Sequence, residues 1–241
     1  ETYGLLSLEH QISCHTEKTK GVIPVNLNGR LAGAGSINGH IEIIEDSAQA
    51  FPIPPRGLAA CYSLSTAKII ATGQGGFIAT RDEGFAKECR ALRTHDVADA
   101  MVPAVLTWRR FGYNFRFTDI QAAIGLAQLE RLPWRLNRLQ EIAARYRQGL
   151  PDYLEMLPRA PGDGPELYIE VLYREAEDLR AYLRFHNVEA RPFYPCLHTA
   201  PYLHATGKFP NAERFAHGLT LPSGPAQTDA DIERVINLLH E

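Results

Sequence analysis

Four short apolar runs in the first third of the chain constrain its fold more than any other feature. GVIPVNL (21–27), IEIIED (41–46), ACYSLS (60–65) and GGFIAT (75–80) are rich in apolar and β-branched residues and too short to be helices. Their near-continuous apolar character predicts strands of a sheet covered on both faces, which is the pattern of a mostly parallel sheet in an α/β domain. Helical spacing then takes over. Residues 83–95 place Phe85, Cys89 and Leu92 on one stripe. In residues 118–132, Thr118 stands at the N-cap with Gln121 at the capping-box position, and Ile120, Ala123, Ile124 and Ala127 line one face. Pro133 is expected to stop that helix. The next, over 134–150, carries Leu136, Leu139, Ile142 and Tyr146 on its apolar stripe and closes at Pro151.

Beyond that point the texture changes. ELYIEVLY (166–173) predicts a strand, 175–187 a helix, 188–195 a short strand and 229–241 a terminal helix, which together make a small α+β unit. The expected organisation is a large domain over 1–132, followed by a connector helix and small C-terminal domain over 133–241. The net charge of −3 gives no basic surface for nucleic acid and no polybasic run for anionic lipid. No apolar run is long enough to span a bilayer, and no signal peptide opens the chain. The four cysteines lack paired spacing, so they read as reduced thiols of a cytoplasmic protein.

Two strand ends carry the chemistry. Asp46 ends an apolar strand and is followed by small residues, DSAQA, with no lysine or arginine nearby in sequence. Ligands of open α/β sheets bind at the carboxyl ends of strands. Lys68 lies past the end of another strand in YSLSTAKIIATGQGG, among small and hydroxylated residues with no charged neighbour. A lysine and a carboxylate so placed suit pyridoxal phosphate (PLP). Its aldehyde needs an amine, and its pyridine nitrogen needs a carboxylate to keep it protonated. A crowded apolar setting lowers a lysine pKa and makes the amine nucleophilic near neutral pH. Ser63 offers a hydroxyl to the phosphate, and Gly73, Gly75 and Gly76 permit a sharp reversal after the lysine. The glycine cluster at 33–39 has the wrong spacing for a dinucleotide fingerprint and reads as a loop. His198 and His204 read as loop histidines; no metal-ligand set is present in the sequence.

EDSAQA (45–50), YSLSTAKIIATGQGG (62–76) and GYNFRFTDIQAAIGLAQLERL (112–132) closely resemble three hallmark blocks of the DegT/DnrJ/EryC1/StrS family. EKTKGVIPVNLNGR, HNVEARPFYPCLHTAPY and the terminal LTLPSGPAQTDADIERVINLL agree with it as well. The resemblance implies the PLP-transferase fold type I and transamination of a nucleotide-linked 3- or 4-keto-6-deoxy sugar, with glutamate as the amino donor, for surface-polysaccharide or natural-product sugars. It implies that Lys68 binds the cofactor aldehyde and moves protons, that Asp46 pairs with the pyridinium nitrogen and that Gln49 contacts the ring near its phenolic oxygen. It also implies that Ser63 holds the phosphate and that Asn114 reaches the phosphate of a neighbouring subunit's cofactor. The last role makes the expected assembly a homodimer with shared active sites. Tyr194 and His198 are expected to line the sugar site.

Two departures from the family pattern stand out. Family members carry a segment ahead of the position of residue 1, with a glycine/threonine helix start for the phosphate and an aromatic residue that stacks on the ring. A chain that lacks them is expected to hold the cofactor weakly. FPIPPRGLAA (51–60) is also shorter than the usual loop between the Asp and Lys blocks. The alternatives are a truncated, catalytically impaired paralogue that keeps the fold and dimerises, and a sugar 3-dehydratase. The dehydratase branch replaces the lysine with histidine, so Lys68 speaks against it.

Overall fold

In the computed structural model, residues 5, 13–33, 41–96 and 110–241 are described. Two four-stranded sheets organise them. The first has the order β1-β2-β3-β4, with β1 (Gly21–Val22), β2 (Glu42–Asp46), β3 (Ala59–Ser63) and β4 (Gly76–Thr80). The β1–β2 and β2–β3 pairs are parallel and β3–β4 is antiparallel, so this sheet is mixed and mostly parallel. The second is wholly antiparallel in the order β5-β6-β8-β7, with β5 (Glu155–Met156), β6 (Ile169–Leu172), β7 (Arg191–Pro192) and β8 (Gly218–Leu221).

The helices are α1 (Glu83–Arg93), α2 (Asp119–Glu130), α3 (Leu132–Gly149), α4 (Ala176–Phe185), α5 (Pro210–Phe215) and α6 (Asp229–Leu239). Thr118 caps α2 through the expected box: its hydroxyl accepts from Gln121 N, and the Gln121 side chain accepts from Thr118 N. Thr228 and Asp231 repeat that device on α6. Ile142 and Tyr146 on α3 pack with Ile169, Val171, Leu183, Leu219, Leu221 and Ile232, a core between the antiparallel sheet and its helices.

Three expectations need correction. The run 21–27 is a buried strand on its pattern, but only Gly21–Val22 pair as β1, and Ile23 is 69% exposed. Pro24 has no N–H to give to a ladder, and pairing resumes only as an isolated bridge between Val25 and Asp46. Pro133 does not end the first of the two long helices. The break falls at Arg131, and the proline sits in the first turn of α3, where its missing N–H costs nothing. The run 188–195 pairs only at Arg191–Pro192. Among the described residues α2 buries no side chain, and Ile120 is 75% exposed. The glycine cluster at 33–39 lies, after Gly33, outside the described residues.

The two halves meet through buried polar groups. Asn28 is fully buried in the left-handed region at φ 51°. Its Nδ2 donates to Tyr168 O at 2.8 Å, and its Oδ1 accepts from Leu167 N and Tyr168 N, both at 2.8 Å. Beside it, Arg30 Nη1 meets Glu170 Oε2 at 2.5 Å, with both residues buried. Asn28→Ala removes three hydrogen bonds, orphans buried backbone groups and places alanine where asparagine is better tolerated. It is expected to lower stability by about 3 kcal/mol in a urea titration. Asn28→Gly, which relieves only the backbone strain, should recover less than half of that loss.

Candidate active site

β2 and β3 end side by side, with Asp46 opposite Cys61 in a parallel register. Side chains alternate along a strand, so Glu45 and Asp46 point to opposite faces. Glu45 is buried and anchors the strand end. It accepts from Arg56 N at 2.6 Å, Arg56 Nε at 2.8 Å and Gly57 N at 3.2 Å. Burial pushes its carboxyl upward, but those three donors and the Arg56 charge outweigh it and hold Glu45 below the usual carboxylate range. Arg56 Nη2 also donates to Asn26 Oδ1 at 3.1 Å and to Ala32 O at 3.0 Å. Asp46 is therefore carried on a strand end that is clamped from its other face.

The Asp46 carboxylate makes one local bond, accepting from Ala48 N at 3.1 Å through Oδ1. Its charge acts on two neighbours. With burial as the larger cause, it pushes the Cys61 thiol up. It also acts on the Lys68 ammonium, where burial lowers the pKa and the Asp46 carboxylate partly opposes that fall. Lys68 and Asp46 form no direct ion pair, and the Lys68 side chain donates no hydrogen bond among the described residues. Two unlike charges thus sense each other across a gap that neither closes.

The turn carrying Lys68 is held at both ends. Leu64 N donates to Gly75 O and Thr72 N to Leu64 O, each at 2.9 Å, and Lys68 N donates to Ser65 O at 3.1 Å. Ile69 and Ile70 are buried just after the lysine. Gly73 and Gly75 take φ of 81° and 130°, where a side chain would be strained, and so make the reversal that leads into β4.

Gln49 lies one turn beyond Asp46. Its Oε1 accepts from Asn28 N at 3.1 Å, which leaves the amide NH₂ free to donate elsewhere. Gln49, Ser63 and Lys68 line one narrow recess of about 10 Å³ with Ala48, Phe51, Ile69, Ile70 and Leu167. The Ser63 hydroxyl donates to Ser65 Oγ at 3.2 Å. On its other side Lys68 borders a cavity of about 560 Å³ that reaches to the antiparallel sheet.

Gln49, Ser63 and Lys68 thus share one recess, and the Asp46 charge reaches Lys68 from beside it. The other three expected residues lie apart from them. Asn114 is exposed, accepts from Arg116 Nε at 3.1 Å and bridges to Thr94. Tyr194 is 93% exposed. His198 stacks on Phe209 with ring centroids 4.6 Å apart and lines neither of these spaces. Glu45, Arg56 and Asn28 were not singled out from the sequence. The lone Arg56 in a proline-rich apolar loop was the only signal for the first two, and Asn28 gave none.

The converged donor set fits PLP. It offers an unpartnered amine for the aldehyde, a carboxylate for the ring nitrogen, an amide donor for the phenolic oxygen and a hydroxyl for the phosphate. Among the described residues, no group of three or more His, Cys, Asp or Glu could hold a metal ion, and no helix is long and apolar enough to cross a membrane.

The chain belongs to the DegT/DnrJ/EryC1/StrS aminotransferase family, whose model matches residues 4–240. It is 34% identical to GDP-perosamine synthase of Caulobacter vibrioides, over 94% of this chain and 67% of that protein. It is 29% identical to the putative pyridoxal phosphate-dependent aminotransferase EpsN of Bacillus subtilis, over 91% of this chain and 62% of that protein. Among solved structures, DesV of S. venezuelae superposes with a TM-score of 0.89 at 26% identity, over 98% of this chain and 68% of DesV. The chain spans about two thirds of the length of the curated relatives it matches. Its fold is that of the PLP-dependent sugar aminotransferases.

Proposed function

We propose that the chain belongs to a PLP-dependent aminotransferase that transfers an amino group from glutamate to a keto sugar carried on a nucleoside diphosphate. The observation that carries this reading is the pair Lys68 and Asp46. They are an amine left without a hydrogen-bond partner and a carboxylate whose charge reaches it without touching it. GDP-perosamine synthase of Caulobacter vibrioides, 34% identical, supports a nucleotide sugar as the substrate class.

When bound, PLP supplies a ring that withdraws electrons from the carbon bearing the transferred amine. The chain's own residues do the rest. Lys68 Nζ, kept toward its neutral form by burial, anchors the aldehyde carbon and serves as the base for the proton on the substrate carbon. Asp46 holds a proton on the pyridine nitrogen. The Gln49 amide, its own carbonyl oxygen pinned by Asn28 N, would donate to the phenolic oxygen. Ser63 donates to the phosphate. The large cavity beside Lys68 is the space for substrate.

The reading includes a homodimer in which Asn114 reaches the phosphate in the neighbouring subunit. Its support is the apolar side chains that α2 leaves exposed. Ile120 and Ile124, one turn apart on α2, are 75% and 43% exposed, and Leu126 and Leu129 on its other sides are 66% and 44% exposed. A monomer rarely leaves so many large apolar side chains of one helix open. Ile120→Glu with Leu126→Glu is expected to shift the protein to the mass of one chain in analytical ultracentrifugation and to weaken PLP retention. A wild type that sediments as a monomer would remove the shared-site part of the reading.

The function is tested in two halves. Protein loaded with PLP and given glutamate alone should form 2-oxoglutarate in an amount matching the protein. It should then transfer the stored amino group to a GDP- or dTDP-linked 4-keto sugar. Absence of 2-oxoglutarate at saturating PLP and glutamate would contradict the reading.

A further inference from the structure

The cavity of about 560 Å³ beside Lys68 is within the range that small-molecule ligands occupy. Three arginines line it, Arg135 on α3, Arg191 on β7 and Arg234 on α6. Two of them have counter-charges. Arg191 Nε donates to Glu189 Oε1 at 3.0 Å. The Arg234 charge acts on the Asp231 carboxyl, and its Nη2 donates to His186 O at 2.5 Å.

Arg135 has none. Its Nη1 donates to Ile69 O at 3.1 Å, which sets the guanidinium against the turn that carries Lys68. Among the described residues it joins no ion pair, and the charge that acts on it is Arg131, of the same sign. Its Nε is buried with no acceptor. Burial and the Arg131 charge both disfavour its cationic form. Removing a cation from water without a partner is costly, and a bound anion would supply what is missing. Nη2 makes no hydrogen bond among the described residues and is the atom left to meet a ligand oxygen. Gln227, in the same lining, has its Oε1 buried without a donor.

We propose that Arg135 is the seat of an oxyanion, a carboxylate or a phosphoryl group, on a ligand that occupies the cavity beside Lys68. Arg135 is then a specificity-determining residue: it selects ligands by the reach between their anionic end and the reacting amine. The inference rests on the reading of this cavity as the substrate space of the aminotransferase. Two sources share the chemistry, the carboxylate of the amino-acid substrate and the diphosphate of the nucleotide sugar.

The test is calorimetric titration of 2-oxoglutarate and, separately, of GDP into the Lys68→Ala protein with Arg135 intact or replaced. Covalent cofactor chemistry is absent from both arms, so the result is read whether or not the aminotransferase reading holds. At least one probe should bind, and Arg135→Gln should weaken it by about 10-fold or more. Arg135→Lys, which keeps the charge without the fork, should fall between the two. Loss with 2-oxoglutarate assigns the seat to the amino-acid carboxylate, and loss with GDP assigns it to the diphosphate. Thermal unfolding within a few degrees of the parent shows that the replaced proteins are folded. Equal affinity of the folded Arg135→Gln protein for both probes, or binding of neither probe when Arg135 is intact, would overturn the proposal.

Discussion

Lys68→Ala is expected to abolish the visible absorbance of the PLP-loaded protein and to lower turnover by about 10³-fold or more, since one group serves as both covalent anchor and proton carrier. That corresponds to about 4 kcal/mol of transition-state stabilisation. The fold should survive the change. The Lys68 side chain makes no hydrogen bond among the described residues, and the turn is held by backbone bonds at Leu64, Lys68 and Thr72 and by the buried Ile69 and Ile70. The pH dependence of stability distinguishes this account from an ordinary surface lysine. Burial depresses the Lys68 pKa below its usual value of 10.5. Between the depressed folded value and 10.5 the unfolded chain therefore binds more protons than the native one, and stability rises with pH through that window. Below the window the charged form carries its burial cost in full. Urea midpoints for the cofactor-free protein should show this rise, and the alanine variant should lack it.

The second large effect is expected at Asp46. Asp46→Asn keeps the oxygen that accepts from Ala48 N but loses the negative charge. A neutral amide cannot hold a proton on the pyridine nitrogen, so kcat should fall by about 10²- to 10⁴-fold while PLP still binds. Asp46→Glu should restore part of the rate if its longer arm reaches the ring. A separate readout needs no cofactor. The Asp46 charge adds to burial in pushing the Cys61 thiol up. Removing that charge should lower the thiol pKa and speed alkylation of Cys61 at a fixed mildly alkaline pH. Turnover at the wild-type rate in Asp46→Asn would show that the electron sink is misassigned.

Legibility in the sequence followed the range of the interactions. The Thr118–Gln121 capping box spans three residues, and the structure shows both of its bonds. Leu139, Ile142 and Tyr146 are buried as the helical period requires. The converging residues Asp46, Gln49, Ser63 and Lys68 were visible because each sits at or just past a strand end, where parallel pairing gathers side chains from separate segments. Long-range polar groups were hidden. Asn28 joins Gln49 to Leu167 and Tyr168 across more than a hundred residues, and no local pattern marks it. Arg56 and Glu45 are eleven residues apart and read singly as a loop arginine and a strand-end acid. The α2 stripe was legible as apolar, but periodicity cannot say whether the covering surface belongs to the same chain. Ile120 and Ile124 are exposed here.

The account depends most on where PLP attaches. Protein loaded with PLP, reduced with borohydride and digested should give one peptide carrying the phosphopyridoxyl mass, and fragmentation should place that mass on Lys68. The neighbouring Ser65 and Thr66 should be unmodified, as should Lys18, Lys20, Lys87 and Lys208. Label spread among those four lysines, or no label on a protein that has taken up the cofactor, would contradict it.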